Sequence, residues 1–210
     1  MINIYEINEL NNIQTFNFQG SKIYVMDDFY RYPEEVLSRF LSIESKIWKE
    51  KEIPSYNKVH FLDKRHDFHD DNFINVGEQL SKICGEPVAQ PGRIVTNIMK
   101  FIDRDFNDYK NNYWWPHCDL GHTALIYLNN FEYPGTNIYE PLEQDNWNTV
   151  EHYEPWRPKE KYKVILTLNA KFNRMVLFDA KKLFHGMNVS DDTFFHRVRM
   201  NQAIFFKPAV

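Results

Sequence analysis

Residues 113–120 read YWWPHCDL, so an imidazole and a carboxylate, His117 and Asp119, stand one residue apart behind two tryptophans. On an extended strand end alternate side chains point the same way. His117 and Asp119 would then share a face while Cys118 takes the other. A further imidazole, His185, lies in KKLFHGMNV just after the apolar run RMVLFD. Two imidazoles and one carboxylate from two strands are the donor set of a facial triad. Such a set suits ferrous iron and leaves coordination positions open. Taken alone, a His-x-Asp pair reads equally well as a turn whose Asp caps a neighbouring amide.

A third feature lies near the C-terminus, in FFHRVRMNQAIFF. As a strand, its even positions Val198, Met200, Ile204 and Phe206 are mostly apolar, as expected of a face covered by helices. Its odd positions include Arg197, Arg199 and Asn201. An arginine facing the inside of a β-structure needs an anionic partner, because a buried unpaired charge is costly. An internal Asp or Glu would serve, and so would a ligand carboxylate gripped by the planar guanidinium.

The elements that must carry these residues follow from the patterning. SKIYVMDDFY (21–30) reads as a strand running into a turn, and 32–48 reads as an amphipathic helix with Pro33 near its start. A second helix is expected over 71–84, stopped by Gly85 and Pro87. Beyond residue 93 come short runs rich in β-branched and aromatic residues, at 93–103, 122–129, 162–169, 174–179 and 196–206. The expected fold is therefore mainly β (α+β), a jelly roll with N-terminal helices packed on one sheet. A single domain over 1–210 is expected, with helical support over about 30–90 and a core over about 93–206. Residues 130–161 are expected to form a lid insertion.

Composition narrows the function class. The 210 residues are 43% hydrophobic and 16% aromatic with a net charge of −4, which supplies a core and no basic footprint for nucleic acid. No long apolar run suggests a membrane span and no leader pattern opens the chain. Two cysteines fit a reducing, cytoplasmic setting better than a disulfide framework. The segment 60–72 holds three histidines and four aspartates and is expected to be a solvated loop with an Asp cap, not a metal site. His122 is expected to be structural or to support the triad, His152 and His196 to be surface residues, and Cys118 a packed thiol.

In this order, HCD, FHGMNV and RMNQAIFF resemble the 2-oxoglutarate- and Fe(II)-dependent dioxygenases, in particular their prolyl-hydroxylase-like branch. The likeness covers about residues 93–206, with ALIYLN, PGTNIY and NRMVLFDAKKLFHG adding to it. It implies a double-stranded β-helix, His117, Asp119 and His185 as iron ligands, and Arg199 on the distal carboxylate of 2-oxoglutarate. Tyr127 would donate a second hydrogen bond to that carboxylate, and Asn201 would assist. The family places its arginine somewhat closer to the distal histidine, so Arg197 is a rival to Arg199. The implied reaction is a hydroxylation using dioxygen, with release of succinate and CO2. A carboxylate at 119 favours hydroxylation over halogenation. The substrate is expected to be a small molecule or a peptide, with Trp114, Trp115 and Phe184 as candidate contacts; the oligomeric state stays open. Two rival readings remain at this point: a jelly-roll metalloprotein without 2-oxoglutarate (a cupin-type dioxygenase or a zinc hydrolase), and a non-catalytic binding module.

Overall fold

The structure is a computed structural model that describes residues 3–42, 49–52, 60–67, 74–85, 88–101, 108–143 and 156–208. Thirteen strands are described: β1 (Ile13–Phe18), β2 (Ser21–Met26), β3 (Lys49–Glu52), β4 (His60–Asp67), β5 (Val88–Phe101), β6 (Asn112–Trp114), β7 (His122–Tyr127), β8 (Tyr133–Pro141), β9 (Trp156–Pro158), β10 (Tyr162–Ala170), β11 (Met175–Asp179), β12 (Phe184–Met187) and β13 (Arg199–Pro208). The helices are α1 (Pro33–Leu41), α2 (Ile74–Cys84), α3 (Asp108–Asn111) and α4 (Thr193–His196).

From β7 onward the chain alternates between two antiparallel sheets. A large sheet runs β1-β2-β11-β7-β13-β5-β4-β3 and a small one runs β10-β8-β12, extended by an isolated bridge between His117 and His185. The chain therefore passes from β7 (large) to β8 and β10 (small), then β11 (large), β12 (small) and β13 (large). That alternation is the winding of a jelly roll. Among the described residues, no helix is long and apolar enough to cross a membrane.

The period-2 pattern of β13 separates two cores. Ala203 and Phe205 join Tyr127, Leu125, Val176, Phe178, Ile138 and Leu168 between the sheets. Met200, Ile204 and Phe206 join Val36 and Phe40 of α1 and Val76, Leu80 and Ile83 of α2 on the outer side of the large sheet. One strand thus serves the helix layer with its even residues and the chamber between the sheets with its odd ones.

Two expectations from sequence are corrected. The lid segment is in part a structural strand: residues 133–141 form β8, central in the small sheet, and β9 follows at 156–158, while 144–155 lie outside the described residues. Alternation was hidden there by Pro134 and Gly135 at the start of the run. The His- and Asp-rich stretch, read as a loop, forms β4 over its first eight residues, because long-range pairing with β3 and β5 satisfies a backbone whose side chains look loop-like. Its remainder lies outside the described residues, as do the C-terminal end of the predicted first helix and His152.

Candidate metal centre

The triad is assembled by the bridge between the stretch before β7 and β12. His117 N–H donates to His185 O at 2.9 Å and His185 N–H returns a bond to His117 O at 2.8 Å. Asp119 is fixed in turn by its N–H donating to Ala180 O at 2.8 Å. The ligating atoms of His117, Asp119 and His185 all fall within 4.8 Å of one another, the only such group among the described residues. His185 Nε2 lies 3.3 Å from Asp119 Oδ2, and His117 Nε2 lies 3.8 Å from Asp119 Oδ1.

Both imidazoles are held in one tautomer. His117 Nδ1 sits 2.6 Å from the Trp115 carbonyl, and His185 Nδ1 sits 3.0 Å from the Leu183 carbonyl. A carbonyl only accepts, so each Nδ1 carries the hydrogen and each Nε2 turns its lone pair toward Asp119. Backbone carbonyls behind histidine ligands are the usual outer support of a metal site. Thr123 Oγ1 donates to Asp119 Oδ2 at 2.8 Å, which sets the carboxylate's rotation. Burial pushes the Asp119 pKa up, but the contact with His185, the positive charge that the two imidazoles carry when protonated, and the hydrogen bond from Thr123 outweigh it and hold the carboxyl well below its usual range. An ionised carboxylate and two neutral Nε2 donors fit a divalent first-row ion with open positions.

The bridge needs a close approach of backbones. A Cβ at Gly186 would lie 2.5 Å from Trp114 O and 2.9 Å from Trp115 O, so only glycine lets β12 come this near to the tryptophan pair. Trp115 itself has a φ of +50°, a left-handed conformation unusual for a bulky residue, and its carbonyl is the one that holds His117.

The opposite end of the chamber is lined by β7, β8 and β13. Thr123 and Tyr127 share the inner face of β7, so their Cα atoms are about 13 Å apart along the strand. Thr123 marks the triad end. At the other end Tyr127 donates its hydroxyl to Thr136 Oγ1 at 2.8 Å, tying the two sheets together. Arg199 is buried at 8% exposure, and its Nη1 donates to Asn201 Oδ1 at 2.9 Å. Its Nε is buried with no hydrogen-bond partner, and among the described residues no carboxylate pairs with this guanidinium. Tyr133 Oη is likewise buried without a partner, and the Arg199 charge acts on it against the upward push of burial on its pKa.

Tyr133 reaches the chamber through a bulge. The β8–β10 register shifts between Leu168 and Ala170, opposite Gly135, whose φ is +79° and whose added Cβ would lie 2.1 Å from Leu168 O. The shift lets Tyr133 and Thr136, three residues apart, both face inward. Strict alternation from Thr136 would have pointed Tyr133 outward, so the sequence pattern did not expose it. Thr123 and Thr136 were missed too, since a single threonine on a strand carries no signal of its own.

The remaining candidates separate cleanly. Arg197 is exposed, with its guanidinium 4.8 Å above the Phe131 ring, away from the buried face that holds Arg199. Trp115 is half-buried with its ring 6.4 Å from that of His117, beside the triad. Trp114 is core, packed edge-on against Phe101 at 4.7 Å and Trp156 at 4.8 Å, so it is wall and not mouth. Phe184 alternates with His185 and packs toward Tyr162 on the outer side of the small sheet, so it does not face the triad. His122 stacks on Phe206 on the helix side of the large sheet, while Cys118 is a buried thiol outside any disulfide and His196 is exposed.

No family model matches the sequence, and no curated protein matches it. Among solved structures, the chain is similar to an oxidoreductase of the 2OG-Fe(II) oxygenase family from Burkholderia pseudomallei, with a TM-score of 0.45 and 11% identity over 81% of this chain and 77% of that one.

Proposed function

We propose that the chain is a non-haem Fe(II)- and 2-oxoglutarate-dependent dioxygenase of the prolyl-hydroxylase-like kind, hydroxylating a small molecule or a peptidyl residue. The observation that carries this reading is the buried Arg199 guanidinium, unpaired by any described carboxylate, on the inward parity of β13 and so on the side of the large sheet that faces the small sheet carrying His185. A desolvated cation without a counter-charge is unfavourable, and a diacid supplies the missing charge. A cupin-type dioxygenase or a zinc hydrolase would use the same three ligands but would leave Arg199 without a purpose.

When bound, iron and 2-oxoglutarate would supply the oxidative chemistry, with dioxygen consumed and succinate and CO2 released. The chain's own part is to bind and orient. His117 and His185 offer Nε2, Asp119 offers its carboxylate, and Thr123 with the carbonyls of Trp115 and Leu183 keeps these donors aimed. Arg199, steadied by Asn201, takes the distal carboxylate at the far end of the chamber. Trp115 lies beside the triad, where a substrate would approach. Cys84 and Cys118 stand outside any disulfide, which accords with a reducing, cytoplasmic setting.

The test is turnover in the absence of substrate. With Fe(II), 2-oxoglutarate and air, the wild-type protein is expected to release succinate slowly, and His185→Ala to release none above background. Equal succinate from both proteins, or none from the wild type, would overturn the assignment.

A further inference from the structure

Resting on the reading above, we infer that Tyr133, and not Tyr127, is the hydroxyl that joins Arg199 in holding the distal carboxylate of the cosubstrate. Two buried hydrogen-bonding atoms in this chamber lack partners, Arg199 Nε and Tyr133 Oη, and both are donors. Buried polar groups in folded proteins are nearly always satisfied, so a pair of orphaned donors marks a place built for an acceptor. A carboxylate is an acceptor with two oxygens, enough to meet both donors at once.

Tyr127 is already committed. Its proton goes to Thr136 Oγ1, and its ring meets that of Tyr133 edge-on at 5.9 Å. Tyr133 is fixed on its other side by Phe194, edge-on at 5.1 Å, and by Phe131 at 5.8 Å, so its ring has little freedom to seek another partner. The device that brings it inward is the Gly135 bulge. Burial keeps the Tyr133 hydroxyl protonated at neutral pH, so it donates and does not compete with the ligand for charge.

Asn201 completes the arrangement from behind. It occupies Nη1 of the guanidinium and leaves Nε for the chamber. Asn201 is a positioning residue here, and Tyr133 is a ligand-binding one.

The experiment is anaerobic calorimetric titration of the Co(II)-loaded protein with 2-oxoglutarate and with 2-oxobutanoate, which keeps the chelating end and lacks the distal carboxylate. Tyr133→Phe is expected to weaken 2-oxoglutarate by about tenfold, the loss of one hydrogen bond to a charged group. Its Co(II) affinity and its 2-oxobutanoate affinity should stay within about twofold of wild type, a pattern that a merely structural role would not give. Tyr127→Phe is expected to change the preference for the diacid by less than about threefold, since its hydroxyl faces Thr136. Replacing an orphaned hydroxyl by hydrogen should also leave the Tyr133→Phe melting temperature no lower than wild type. If the wild type binds 2-oxoglutarate and Tyr133→Phe binds it equally well, or Tyr127→Phe shows the larger loss, the inference falls and the proposed function stands. If the metal-loaded wild type binds no 2-oxoglutarate, both fall together.

Discussion

Arg199→Met is expected to abolish useful 2-oxoglutarate binding while leaving the empty protein at least as stable as wild type. The two effects share one cause. Arg199 is buried, and its guanidinium meets only a neutral amide oxygen from Asn201 among the described residues. Desolvating a charge without a counter-charge costs several kcal/mol. Methionine fills the volume of the aliphatic stem and removes that cost, though it leaves Asn201 Oδ1 without its donor, a loss of about 1–3 kcal/mol. The charge outweighs the amide, so the expected gain in the free protein runs up to about 3 kcal/mol. Against the diacid, losing the cation from a desolvated pair removes about 2–4 kcal/mol, roughly a 30- to 1,000-fold weaker affinity. Thermal melts with and without 2-oxoglutarate read both quantities at once, because ligand raises stability only in the protein that binds it. A structural arginine gives the opposite pattern: a lower melt in the free protein and an unchanged ligand shift.

Gly186→Ala carries the second large effect, and it strikes the triad through the backbone. The new Cβ would lie 2.5 Å from Trp114 O and 2.9 Å from Trp115 O, and neither atom belongs to a flexible side chain. Relief requires β12 to part from the tryptophan segment, which pulls on the paired bonds between His117 and His185. Overpacking of this kind costs about 3 kcal/mol, which for a chain of this size lowers the melting temperature by about 6–12 °C. Because metal ligands tolerate only small displacements, divalent-ion affinity should also fall by about tenfold or more. Denaturant titration and Co(II) binding check the two parts. An alanine variant with wild-type stability and metal affinity would show that the close approach is not what builds the site.

The strand parities explain why much of this was legible from residues alone. His-x-Asp on one extended segment, a distal His after an apolar run, and alternating faces on the last strand are period-2 signals, and period 2 survives in sequence wherever one face is buried. Hence Met200, Ile204 and Phe206 fall on the helix side of β13 and Ala203 and Phe205 on the chamber side, as the alternation predicts. What interrupts the period was hidden. The bulge at Gly135 turns Tyr133 inward against the alternation, whereas Tyr127 was assigned the second hydrogen bond to the carboxylate from the family resemblance. The polar strand β4 was hidden for a different reason: its pairing is long-range, and local composition carries no trace of neighbours some 30 residues away in the chain. Trp114 and Trp115 looked alike in sequence. A left-handed turn at Trp115 sends one into the core and leaves the other beside His117.

The central claim is that one chamber holds ferrous iron at His117, Asp119 and His185 and a 2-oxo diacid reaching from that iron toward Arg199. Its most direct measurement is the visible absorption of the anaerobic protein titrated first with Fe(II) and then with 2-oxoglutarate. A weak charge-transfer band is expected that appears only with both, saturates at one equivalent of each, and is missing in His185→Ala. No band at saturating 2-oxoglutarate, or a band that survives undiminished in His185→Ala, would contradict it.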